Sequence, residues 1–241
     1  MSDASRAIAG AMRRALPILF TARVIGLATL PVLGAALAWA VIAVAAWDPL
    51  TGRLVHLLGG TDDAALWRRI TADVVAVLMF AALAIATALA AIAVLTMPVI
   101  VKTVAARHYP NLAARRGGTF AGSTRNAIVA LLVFVPLWLL TLPLLALPPL
   151  YVAASLLLNA WLSQRMFRYD ALAEHASGDE IAAVVRERKT RLLLLGLALS
   201  PLSLVPLVNI LVLPIYAGIA FTELCLGELA SRRERAAAVA G

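Results

Sequence analysis

Charged side chains are absent from four long stretches of the chain: residues 24–47, 74–101, 126–164 and 192–222, which are 24, 28, 39 and 31 residues long. A helix rises about 1.5 Å per residue and needs roughly 20 apolar residues to cross a hydrocarbon core about 30 Å thick. The first two stretches therefore predict one transmembrane helix each. The third and fourth are too long for one helix, and the fourth is too short for two full crossings and a turn, which take more than about 40 residues. Pro136, Pro143, Pro148 and Pro149 interrupt the third, and Pro201, Pro206 and Pro214 the fourth. Proline removes a backbone donor and bends or ends helices, so both stretches predict Pro-broken helical hairpins. Half-helices of about 14 residues reach only about 21 Å, which points to hairpins that enter and leave by one face; for the third stretch two full crossings stay open. Broken backbone at membrane depth has to be buried in protein, so a homo-oligomer is expected. The fold class expected is all-α polytopic: two full transmembrane helices supporting two hairpins, in one integral membrane domain over 1–241.

Composition agrees, with 63% hydrophobic and 14% charged residues in 241, far from the roughly 25% charged of soluble domains. The net charge of +8 does not indicate a nucleic-acid partner, because the basic residues fall in particular loops and no nucleic-acid module is present. They report orientation instead. Arg6, Arg13, Arg14 and Arg23 precede the first stretch, whereas the connection 48–73 carries three arginines against four acids. The connection 102–125 has five basic residues and no acid, the segment 165–191 has six basic residues, and the tail 223–241 has three arginines. Lys/Arg-rich loops stay inside, so both termini and both hairpin bases are expected in the cytoplasm. Residues 1–23, with Ala7, Ile8, Met12, Leu16, Ile18 and Leu19 among arginines, read as a basic amphipathic leader in the interface or as an extension of the first transmembrane helix.

Little in the chain suggests chemistry. His56, His108 and His175 are scattered over separate loops, the single Cys225 permits no internal disulfide, and no Cys/His spacing suits a metal. No enzyme, no catalytic residue, no metal and no cofactor is expected. The candidates that remain are for a small inorganic anion. Arg23, at the edge of the first transmembrane helix, either snorkels to headgroups or faces an anion, and Arg13 and Arg14 carry the same two readings. Asn209, in the middle of the last hairpin, either packs the tip or lines a pathway, with Asn159, Ser200, Ser203 and Tyr216 as weaker counterparts. Asp170 and His175 are candidates for gating or proton coupling, since histidine titrates near neutrality. Ser177 followed by Glu180 predicts a capped helix start. Val135-Pro136-Leu137 with Pro143 and Val205-Pro206-Leu207 with Pro214 form a faint repeat, the kind of paired, broken hydrophobic segment that marks transporter sites.

The order of parts resembles the CysZ sulfate permease and etoposide-induced protein family. The stretch that carries the resemblance is Arg188-Lys189, Gly196, Val205-Pro206-Leu207-Val208-Asn209, Pro214 and Ala217-Gly218-Ile219-Ala220, similar to the family's Arg-Lys, Gly, Pro-Leu-Leu-Asn, Pro and small-residue sequence. Leu30-Pro31 early in the first transmembrane helix, Pro98 ending the second and Phe134-Val135-Pro136 in the first hairpin extend it. The resemblance implies a bacterial inner-membrane oligomer that takes up sulfate or a related oxyanion, or, as in non-transporting members, a membrane scaffold. Where CysZ proteins place two adjacent arginines before the Leu-Pro, this chain has Ile25 and Gly26, and Arg23 is the nearest cation.

Overall fold

Apolar runs far longer than a strand, with few glycines inside them, fold as helices. A computed structural model of the chain describes residues 3–59, 65–205 and 208–240, and every regular element in them is helical. In order these are α1 (Asp3–Leu19), α2 (Ala22–Leu58), α3 (Ala65–His108), α4 (Phe120–Thr141), α5 (Pro148–Ala173), α6 (Gly178–Glu187), α7 (Lys189–Leu199) and α8 (Leu213–Ala240). The chain divides into two compact units, 26–95 and the remainder, residues 1–25 with 96–241.

The unit 26–95 contains most of α2 and α3. Trp39 donates from its indole Nε1 to Thr87 Oγ1 at 3.0 Å, and Phe80 lies against both Trp39 and Trp47, with centroids 6.2 and 6.5 Å apart. Leu30, Leu33, Leu37, Val41 and Val44 on α2 are exposed. Apolar side chains bare over so many turns belong in lipid, and Val24–Leu58 is long and apolar enough to cross a bilayer. Both helices outrun the uncharged stretches that predict them, because charge does not end a helix. Pro98, expected to end the second helix, lies inside α3, which continues to His108.

In the other unit, α4 and α5 form the first hairpin, joined by a 3-10 turn Leu142–Ala146. Pro143 opens that turn and Pro148-Pro149 start α5, where a missing N–H costs nothing; Pro136 is carried inside α4. Phe120–Ala146 is a second segment long and apolar enough to span. The second hairpin is built differently. A 3-10 turn Ser200–Leu204 follows α7, a π-helical turn Val208–Val212 precedes α8, and Pro206 and Leu207 lie outside the described residues. The faint repeat thus has no common conformation where it is described: Val135 is helical, whereas Val205 is extended.

Helix α8 is the core of this unit. Ile215, Ala217, Ile219, Ala220, Phe221, Cys225, Leu226 and Leu229 are buried, and α1, α5, α6 and α7 pack around it. From Ile215 to Leu229 the helix is apolar on nearly every side, Glu223 and Glu228 excepted, as a core helix is. Residues 223–230, expected as the start of a tail, are therefore buried helix. The leader, too, packs against protein: Ala11, Ala15 and Ile18 of α1 share one face and are fully buried in a unit where α1 lies on α8. Helices α5 and α7 touch closely at Gly196, where an added Cβ would sit 2.5 Å from the Ala160 carbonyl oxygen. Gly117 and Gly118 run along the end of α5, donating N–H groups to Ala176 (2.8 Å) and Ala173 (3.0 Å). Ser177 caps α6 with a complete capping box, Glu180 reaching back to the Ser177 N–H at 2.8 Å.

Candidate functional site

Two glutamates, Glu223 and Glu228, lie on the buried part of α8, one helical turn and a residue apart. A carboxylate can be kept there only if cations and hydrogen-bond donors surround it. Glu223 is fully buried, and Arg14 of α1 donates to it from Nε at 2.9 Å. His108, at the end of α3, meets its other oxygen through Nδ1, and the Tyr109 hydroxyl donates to the Glu223 carbonyl at 3.0 Å. The hydroxyl sits over Gly227, where a Cβ would be 3.0 Å away. Burial, and then the neighbouring Glu223 charge, push the Tyr109 phenol up to about 12 against the pull of Arg14. Burial works against the Arg14 charge but is outweighed by Glu223 and Tyr109, and its pKa rises.

Glu228 is held by two arginines of the α6–α7 region. Arg188 forms an ion pair with it, its Nε 2.9 Å from one carboxylate oxygen, and Arg191 pairs with the other oxygen through Nη1. Arg191 also reaches Asp3 at the start of α1, 2.7 Å away through Nη2. The hydrogen bond from Glu228 leads the causes that raise the Arg191 pKa. Both clusters open into one cavity of about 510 Å³, which Arg14, Arg188, Arg191 and Arg235 line together with Asp3, Glu223 and Glu228. Arg235 has no ion pair among the described residues. A second cavity of about 470 Å³ has His108, Tyr109, Arg115, Arg233 and Glu234 among its lining residues. Arg233 clamps its rim, donating to the carbonyls of Ala113 (2.8 Å) and His175 (2.7 Å) and to Glu180 (2.9 Å).

Residues 11–214 match the family model described as sulfate transporter CysZ/etoposide-induced protein 2.4. The chain belongs to this family. No curated protein and no solved structure matches it significantly. The family is of transporter type, and the long apolar helices make this member a membrane protein.

Of the residues expected to matter in this family member, only Arg14 enters the clusters just described. Arg13 is exposed and lines neither cavity. The side chain of Arg23 lies outside the described residues. Asn209 is exposed in the π-helical turn, its N–H donating to Val205 at 2.8 Å. Asp170 accepts from the Ser123 hydroxyl, which ties the ends of the first hairpin; burial raises its pKa and that bond lowers it. His175 is buried with no partner for Nδ1, and burial holds its pKa down, Glu174 opposing and Arg233 adding to the effect. The structure brings neither Asp170 nor His175 to the walls of the 510 Å³ cavity. Glu223, Glu228, Arg191, His108 and Tyr109 escape sequence reasoning because the charge after Thr222 reads as the end of a hairpin. The signal that finds the two glutamates is Glu223-Leu-Cys-Leu-Gly-Glu228-Leu: two acids inside a pattern still apolar at helical spacing.

Proposed function

We propose that the protein is a CysZ-like permease or channel for sulfate or a related small oxyanion in the bacterial inner membrane, with both termini cytoplasmic and several copies per assembly. The observation that carries this reading is the convergence of arginines from three helices, Arg14 on α1, Arg191 on α7 and Arg235 on α8, on one cavity in a member of a transporter-type family. Arginine suits an oxyanion because its fork of N–H donors matches two oxygens at once, and it stays charged at any working pH. The Lys/Arg bias of the loops supports the orientation, which puts this cavity at the cytoplasmic mouth. Exposed apolar residues along α4, from Ile128 to Leu140, meet lipid or a second copy. In this reading Arg23 and Asn209 stand near the path from the membrane side, and Asp170 and His175 are gating candidates at the hairpin base.

The alternative is a membrane scaffold. The observation that favours it is that most arginines at the cavity already have carboxylate partners, and that Ile25 and Gly26 replace the arginine pair of CysZ proteins. Uptake of radiolabelled sulfate into liposomes holding the purified protein separates the two. Saturable uptake that falls on Arg235→Ala and on Arg23→Ala, with insertion unchanged, supports permeation; uptake equal to empty liposomes supports the scaffold.

A further inference from the structure

Two arginines on α5 have no carboxylate partner among the described residues. Arg165 is the first charge after the third uncharged stretch, and Arg168 follows about one turn later. Nη1 of Arg168 donates to Gln164 Oε1 at 3.0 Å, which leaves its Nε and Nη2, a parallel pair of donors, with no acceptor among the described residues. The Nε of Arg165 is buried with no hydrogen-bond partner, and its guanidinium carbon lies 5.7 Å from the centre of the Trp161 ring. Burial, and then the nearby Arg165 charge, pull the Arg168 pKa down, opposed by Cys225. Two half-buried like charges side by side cost free energy unless an anion joins them. Neither arginine lines the 510 or the 470 Å³ cavity.

An apolar stripe leads up to them. Leu150, Ala153, Leu157, Trp161 and Arg165 recur at three- and four-residue intervals, which puts them on one face of α5, and Leu150, Ala153 and Leu157 are exposed. From Leu150 to Trp161 the helix rises about 17 Å, close to the roughly 15 Å of hydrocarbon in one leaflet. Tryptophan favours the boundary between acyl chains and headgroups, which places the arginines just beyond it at phosphate level. Asn126 of α4 donates to the Arg165 carbonyl at 2.8 Å, so both legs of the first hairpin reach that level together. We propose that this face of α5 binds an anionic phospholipid, its phosphate on Arg165 and Arg168, its glycerol beside Trp161 and one acyl chain along Leu157, Ala153 and Leu150. A second copy fits the face less well, because two-fold pairing through it would set Arg165 against its own equivalent. A free oxyanion would gain nothing from the apolar stripe.

The test is native mass spectrometry of the full-length protein, stripped of lipid in detergent and titrated with phosphatidylglycerol or with phosphatidylcholine of the same acyl chains. Phosphatidylglycerol is expected to bind about twenty-five-fold more tightly, about fivefold for each arginine at headgroup level. The double variant Arg165→Gln/Arg168→Gln is expected to bind both lipids alike, and each single variant to lose about fivefold of the preference. Arg107→Ala, which removes an exposed arginine from the end of α3, should leave the preference unchanged. Leu157→Asn should weaken both lipids together, since acyl-chain contact does not depend on the headgroup. Melting without lipid separates a ligand site from an internal contact: the double variant should melt no lower than the parent, because an unneutralised pair of arginines repels and stabilises nothing. Equal binding of the two lipids by the parent, a preference that survives the double variant or falls as far in Arg107→Ala, or no effect of Leu157→Asn overturns the proposal. Displacement of phosphatidylglycerol by inorganic phosphate at equal concentration also overturns it, by making the ligand a free anion. So does a double variant that melts well below the parent without lipid, because the arginines would then serve a partner inside the protein.

Discussion

Glu223 and Arg14 form an ion pair with unequal surroundings: the glutamate side chain is fully buried and the arginine side chain is 44% exposed. That asymmetry fixes the order of two substitutions. Arg14→Ala leaves a buried carboxylate whose partners among the described residues are His108 and the Tyr109 hydroxyl, near the lower end of the roughly 3–5 kcal/mol for orphaning a buried charge. Glu223→Gln leaves a neutral amide of the same shape, and Arg14 can turn its charge to water, so the cost is about 1 kcal/mol. The double variant should cost little more than Glu223→Gln, giving a coupling of about 3 kcal/mol. At about 2–4 °C per kcal/mol for a chain of this size, melting in detergent should fall about 6–12 °C for Arg14→Ala and about 2–4 °C for Glu223→Gln. Equal losses that add in the double variant would refute the reasoning, because they would mean that Glu223 needs no cation to remain buried.

Further expectations follow from the packing and the titrating groups. Gly196→Val drives a side chain into the Ala160 backbone and should cost about 1–3 kcal/mol, whereas Gly178→Ala, with nothing within 4 Å, should be close to neutral; melting curves of the two compare them. Tyr109 has a folded pKa of about 12 against an ordinary 10.0, so its contribution is complete below pH 10.0 and is lost as pH rises to about 12. Alkaline melts should show that loss in the parent and not in Tyr109→Phe. Glu180 is held down to about 2 from 4.5, first by the Arg233 hydrogen bond, so what it adds is present above pH 4.5 and lost as pH falls toward about 2. Acid melts of Glu180→Gln should lack that phase.

The helices of this protein are legible because uncharged runs of 24 and 28 residues have no other stable form in a membrane. The capped start of α6 is equally legible, since Ser177 and Glu180 make local bonds that depend on nothing distant. Helix ends are less so. Pro98 looks like a stop, yet α3 runs ten residues beyond it, and α8 continues past Thr222 because the neighbours that neutralise Glu223 come from residues 14, 108 and 109. Those partners lie 209, 115 and 114 positions away, and no local pattern announces them. Arg14 was legible as a candidate cation, but its carboxylate partner was not. Asp170 and His175 drew notice as titratable groups in a charged segment; the structure ties Asp170 to Ser123 and uses the backbone carbonyl of His175 to anchor Arg233.

Counterflow tests the oxyanion-permease reading most directly. Liposomes containing the protein are loaded with unlabelled sulfate and diluted into a trace of labelled sulfate. A permease accumulates label transiently above its equilibrium level, and preloading with chloride should not support that overshoot. Absence of the overshoot, with the protein correctly inserted and its internal sulfate retained, would contradict the account.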